Sequence, residues 1–336
     1  MIVNRRRYMG NTEQETLPYL KFTALEDGTF KHNTNALEYS LDEGRTWVAL
    51  SANTDTPTIH TGESVCWRGT INTGTSVKNF SSTGYFDASG DPRSVIYSNN
   101  FSDQPLKDYC FNGLFSGCDK LVNAKDILLP TLVFANRNEY TRMFQDCTSL
   151  VSAPALPATT LSTYCYYYMF SGCTSLVTAP VLNATSLAQL CYSNMFNGCS
   201  SLINVQASLP ATTLAASCYL NMFYYCTSLA TAPALPATTL ETACYRGMFE
   251  GCTSLTTAPD LPATTLCDQC YFYLFRNCSN LSYIKALFVN ITGTNPLYSW
   301  VYRVASNGTF VKASGATIPT GTSGIPSNWT VQEVSS

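Results

Sequence analysis

Residues 161–186 read LSTYCYYYMFSGCTSLVTAPVLNATS, and close variants of this stretch recur on both sides of it. Its central pair, Met169-Phe170, is matched by Leu114-Phe115, Met143-Phe144, Met195-Phe196, Met222-Phe223, Met248-Phe249 and Leu274-Phe275, at intervals of 29, 26, 26, 27, 26 and 26 residues. Three residues after each Phe stands a cysteine: Cys118, Cys147, Cys173, Cys199, Cys226, Cys252 and Cys278. A degenerate eighth unit keeps the phase, with Trp300-Val301 in place of Met-Phe and Val304 in place of the cysteine. Self-similarity at a period of 20 to 50 residues is the mark of a stacked repeat array.

Inside the quoted unit, Thr160 is suited to cap a helix over 161–170, and Gly172 is suited to stop it. Leu161, Cys165 and Met169 lie four apart, with Tyr166 and Phe170 on the adjacent row, so such a helix has one apolar face. The stretch 175–179 alternates, contains β-branched residues and ends at Pro180, which predicts a short strand. One strand and one helix cannot bury their apolar faces alone, so the units are expected to stack as an α/β solenoid. Leu150, Leu176, Leu202, Leu229 and Leu255 then form one apolar ladder and the Met-Phe pairs another.

The same arithmetic explains the cysteines. Of fifteen, seven are those above and six more lie eight residues earlier in the repeat, at Cys110, Cys165, Cys191, Cys218, Cys244 and Cys270. Eight helical residues span about 12 Å, too far for a disulfide, whose Cα atoms lie within about 7 Å. Free, buried thiols are therefore expected, with bonds between neighbouring units left open.

Outside the array, residues 16–105 carry YLKFTAL, ALEYSL, TWVAL and SVCWRG between Gly, Asn, Asp and Pro signals, which predicts an N-terminal all-β domain. Residues 305–336 contain GTFVKAS and GIPSNWTV and are expected to form a small C-terminal β cap. The repeats then occupy 106–304, and 1–15 stand apart as a short basic peptide. No apolar segment follows Arg5, Arg6 and Arg7, so no secretory signal is expected there.

Charged residues make up 12% of the chain, about half the usual share, leaving Ser, Thr, Asn and Tyr to solvate a surface suited to an extracellular or virion setting. The net charge of -3 supplies no basic field for nucleic acid. No run of apolar residues is long enough for a membrane span.

The combination of MFxGCTSL with APxLPATTL, in phase over about 200 residues, resembles the BspA-like leucine-rich repeats of gut Bacteroidetes and their phages. The resemblance implies a right-handed leucine-rich-repeat solenoid and a role in adhesion or receptor recognition, with no catalytic residues to carry over. The opening MIVNRRRYMG is similar to the N-terminal peptide of structural proteins of Bacteroides phages, which implies that Arg5, Arg6, Arg7 and Tyr8 attach the chain to other virion proteins. A virion location follows from this resemblance, with a bacterial surface adhesin or a structural decoration of the particle as alternatives.

Catalytic and metal chemistry find little material. Only His32 and His60 are present, so His-based metal sites or nucleophile activation are not expected. Ser40, Asp42, Gly44, Thr46 and Trp47 match the Asp-box pattern of sialidases, where that motif is a structural hairpin, and it occurs here once. Cys267 and Cys270 have redox spacing, but Cys270 already belongs to the repeat. The chain is expected to be no enzyme and to need no cofactor.

Binding residues are sought where the units differ. Positions flanking the Met-Phe pairs vary freely and are rich in Tyr, Asn and Arg, types that make adaptable contacts. Tyr167, Tyr168, Asn194, Asn221, Tyr224, Arg246, Tyr273 and Arg276 are the candidates for contact with a bacterial surface glycan or protein. Drift of solvent-facing positions explains the same variation without a ligand. No heptad supports trimerisation, and homo-oligomerisation is left open.

Overall fold

The computed structural model describes residues 18–72, 74, 79–101, 104, 106–130 and 138–334. The basic peptide with Arg5, Arg6, Arg7 and Tyr8 lies outside the described residues.

The N-terminal region is built of β1 (Leu20–Ala24), β2 (Phe30–His32), β3 (Leu37–Ser40), β4 (Val48–Leu50), β5 (Ser64–Gly69), β6 (Phe80–Ser82) and β7 (Phe86–Gly90), followed by the single helical turn α1 (Ser94–Tyr97). Alternation decides which face is buried: Leu20, Phe22 and Ala24 of β1 point into the core, whereas Lys21 is exposed. Phe22 meets Phe30, Trp67, Phe80 and Phe86 with ring centroids 4.8–5.5 Å apart. The strands order as β4-β3-β5-β1-β7, and β7 then pairs in parallel with β8 (Leu121–Ile127), which comes from the first repeat. This all-β region therefore shares its main sheet with the array it covers.

The Asp-box segment is the β3–β4 hairpin turn. Ser40 Oγ donates to Asp42 Oδ1 at 2.7 Å, and Asp42 accepts from the Thr46 amide at 2.8 Å and the Thr46 hydroxyl at 2.7 Å. The Thr46 bonds, with help from Ser40, hold the Asp42 carboxyl down at about 2.

The expected α/β solenoid, right-handed with a leucine-rich strand and a helix in each unit, is overturned. Among the described residues the α-helix is Ser94–Tyr97, outside the array, and the strands gather in separate sheets of six, three, two and two, none of which runs through the repeats. Residues 161–170 form a ribbon of overlapping turns instead. The amides of Cys165, Tyr167, Met169, Ser171 and Cys173 each donate to the carbonyl three residues back. Those of Tyr164, Tyr166, Tyr168, Phe170 and Gly172 donate across to Gln189, Cys191, Ser193, Met195 and Asn197 of the next unit, at 2.8–3.2 Å.

Every fourth residue of the ribbon is left-handed: φ is 60° at Tyr164, 55° at Tyr168 and 76° at Gly172. This conformation repeats every four residues, whereas an α-helix turns every 3.6 and drifts by about 40° over the same span. The unvarying four-residue spacing of Cys165, Met169 and Cys173 matches the ribbon. A helix would satisfy its amides internally, but here alternate amides need the neighbouring unit as acceptor.

The expected strand ladder is also reduced. Through the middle of the array it survives as isolated parallel bridges, among them Leu156 with Leu182, Thr178 with Asn204 and Ser208 with Ala234. Prolines such as Pro154, Pro157, Pro233 and Pro236 have no N–H to donate, so pairing cannot extend along the segment. True strands return only toward the end: β9 (Thr265–Leu266), β10 (Tyr283–Ala286), β11 (Asn290–Ile291), β12 (Thr309–Lys312) and β13 (Thr330–Glu333). Of these, β10-β12-β13 form a parallel sheet and β9 pairs with β11.

Between these faces the units share one dry interior. Phe115, Phe144, Phe170, Phe196, Phe223, Phe249 and Phe275 stack at 5.3–5.8 Å with planes within 10°. A second column runs through Tyr140, Tyr166, Tyr192, Tyr219, Tyr245 and Tyr271. Phe22 and Phe80 close the first column at Phe115, while the wide indole of Trp300 covers both columns, 6.1 Å from Phe275 and 6.4 Å from Tyr271. All fifteen cysteines are free. Those after each Phe have a further use, because Cys173 Sγ donates to the Phe144 carbonyl of the preceding unit at 3.1 Å, and Cys147, Cys199, Cys226, Cys252 and Cys278 repeat that bond at 3.0–3.1 Å.

Candidate binding face

The ribbon turns its Met, Phe, Tyr and Cys columns inward, and the two residues between successive inward pairs outward. All eight candidates lie on this outward side, but none is fully exposed. Asn194 is buried, donating to Ser193 Oγ at 2.8 Å and accepting from Asn197 at 3.2 Å. Asn221 leans over the next unit, its Oδ1 filling the space that a Cβ on Gly247 would need. Both asparagines are thus accounted for by the repeat's own hydrogen bonding and packing.

The remaining six gather at two places. Near the start of the array, the Tyr167 ring lies 5.3 Å from Tyr164 and 4.5 Å from Tyr168, with the Arg142 guanidinium 5.9 Å from the Tyr168 ring. The second and larger group covers the last four units. Arg246 lies 4.5 Å over Phe272, Phe272 stacks on Tyr298 at 5.0 Å, and Tyr273 is 4.2 Å from Phe272. Arg276 is held 4.4 Å over Tyr273 and 5.7 Å from Tyr302, which also receives Arg303 at 5.2 Å. Tyr224 and Tyr225 form the other flank, 4.6 Å apart.

One carboxylate lies within the larger group. Glu250 is buried and 3.3 Å from Arg276. Burial pushes its carboxyl above the usual range, and Arg276 works in the opposite direction. Burial likewise raises the Tyr224 and Tyr167 hydroxyls.

Comparison of units did not single out Tyr164, Tyr225, Tyr298, Tyr302, Arg142 and Arg303. The four-residue spacing is the signal that finds them: Tyr164 is four before Tyr168, and Tyr225 and Arg303 take the place of Gly172 in their own units. Elsewhere, among the described residues, no three His, Cys, Asp or Glu side chains converge on a metal-sized point, and no helix is long and apolar enough to cross a membrane. Cys270 accepts from the Cys267 amide at 3.4 Å, and burial pushes its thiol up to about 12, away from the reactive thiolate. Among known proteins, no family model, no curated protein and no solved structure matches this chain.

Proposed function

We propose that the chain is a non-enzymatic adhesion or receptor-binding component of a phage virion, and that it recognises a bacterial surface glycan or protein through the outward side of its turn ribbons. The virion setting rests on the resemblance of MFxGCTSL, APxLPATTL and MIVNRRRYMG described above. The binding role rests on a local misfit between residue and backbone.

Of the three left-handed positions in each unit, two flank the Met-Phe pair, and the cheap residues there are Gly and Asn. The chain uses Gly113, Gly117, Gly172, Gly198, Gly247 and Gly251, and Asn194, Asn221 and Asn277. In the same two columns it places Tyr168, Tyr225, Tyr273, Arg142 and Arg303, besides Asp146 and Ser299, with φ of 46–62° at the ten non-glycine residues. A bulky side chain in this region costs about 1 kcal/mol or more. Packing of the interior does not require the Tyr225 ring, which is 42% exposed, and Tyr168 and Tyr273 are only half-buried. Strain retained at exposed or half-buried aromatic and arginine positions, and concentrated in two groups, supports recognition over drift.

Replacing Tyr168, Tyr225 and Tyr273 together by Asn tests this reading. The full chain should then bind a panel of gut Bacteroides cells at least tenfold more weakly, with its unfolding midpoint unchanged or raised. Undiminished binding by the folded variant overturns it.

A further inference from the structure

The surplus charge of the larger group points to the kind of ligand. Arg246, Arg276 and Arg303 come from successive units, and Glu250 pairs with Arg276 alone. Arg246 directs its NH1 to the neutral amide oxygen of Gln269 at 2.5 Å. Among the described residues neither Arg246 nor Arg303 has a carboxylate within 4.0 Å. The group thus carries two unneutralised cations on a chain whose net charge is -3.

Orientation matters as much as charge. A guanidinium beside an aromatic ring keeps its N–H edges for other partners, and such an edge is a planar fork matched to a carboxylate. Arg246 stands 4.5 Å from the Phe272 ring with its NH1 taken by Gln269, which leaves Nε and NH2 as its fork, and Phe272 in turn stacks on Tyr298 with planes 24° apart. Tyr298 is 47% exposed, the most exposed ring of the group. A charged fork and an exposed aromatic ring are therefore presented together, two units apart on one stack. Rings of this kind take the apolar face of a sugar, whose other face and edges remain polar.

We propose that Arg246, Phe272 and Tyr298, flanked by Arg276, bind an acidic polysaccharide, with Arg246 holding a ring carboxylate and Tyr298 stacking on a neighbouring sugar. This rests on the reading that the outward face binds a cell surface, and it narrows the ligand to a carboxylated saccharide.

Affinity electrophoresis of the full chain separates the alternatives, using gels containing polygalacturonate, its fully methyl-esterified form, or polyphosphate. Polygalacturonate alone should retard the chain. Arg246→Gln should weaken that retardation about tenfold or more, as expected for loss of a charge-assisted fork. The double variant Arg276→Gln, Glu250→Gln, which leaves no buried carboxylate unpaired, should weaken it less. Equal retardation by the methyl ester, retardation by polyphosphate alone, or no effect of Arg246→Gln overturns the proposal. The same proteins are then tested on intact cells. Cell binding without polygalacturonate binding removes only the acidic-saccharide assignment, whereas polygalacturonate binding without cell binding removes the receptor-binding reading and leaves the site.

Discussion

Gly247 distinguishes a turn ribbon from a helix by the sign of one substitution. It occupies the position of Tyr168, inside the segment whose spacing suggests a helix. Within a helix, Gly247→Ala would stabilise the protein by about 1 kcal/mol, because Ala is the better helix former. In the ribbon Gly247 has φ of 60°, where an L side chain costs about 1–2 kcal/mol. The new Cβ would also come within 2.2 Å of Asn221 Oδ1, forcing that amide aside. The two structures therefore differ by about 2–3 kcal/mol, with opposite signs. Urea unfolding followed by far-UV circular dichroism and tryptophan fluorescence should show Gly247→Ala with a lowered midpoint and an unchanged slope. Gly247→Asn should lose less, since Asn194 and Asn221 adopt φ of 56° and 52° at equivalent positions. A midpoint for Gly247→Ala equal to or above that of the parent chain refutes the ribbon.

Three further outcomes can be measured in the same way. Phe196→Ala removes a fully buried ring stacked at 5.7 Å on both neighbours, and should cost about 3–5 kcal/mol in the denaturation midpoint; a loss below about 1 kcal/mol contradicts the shared interior. The Tyr219 hydroxyl is buried without a partner among the described residues, so Tyr219→Phe should stabilise by about 1 kcal/mol, whereas Tyr140→Phe, which gives up a 3.2 Å bond to the Pro130 carbonyl, should destabilise; the same sign for both is the contrary result. Burial raises the Glu139 carboxyl, partly offset by the bond from Ser162 at 2.6 Å. The folded state therefore holds this proton at pH values where the unfolded chain has released it, and stability falls as pH rises from the ordinary carboxylate range through the raised value. Glu139→Gln should flatten that part of a stability-versus-pH curve, and an unaltered slope refutes the assignment.

The period, the number of units and the inward identity of each column follow from the sequence, because each rests on residues that recur in phase. Trp300 was legible as the last Met-Phe equivalent for the same reason, and the Asp-box as a hairpin from its residue pattern. Backbone conformation was not. A spacing of four residues is shared by one face of an α-helix and by a left-handed residue at every fourth position, and Leu161, Cys165 and Met169 satisfy both. What excludes the helix is the destination of the alternate amides, which donate to the neighbouring unit, and a single unit's sequence carries no information about that acceptor. The binding candidates divide along the same line. Variation between units located the outward side, but whether an outward residue packs, as Asn221 does against Gly247, or stands in a ring and guanidinium stack, as Arg246 and Tyr298 do, depends on the residue one unit away in space and about 26 positions away in the chain. Sequence thus determined which residues lie above one another, and tertiary structure alone decided how the backbone carries them, because alternate amides of the ribbon find their acceptors only in the next unit.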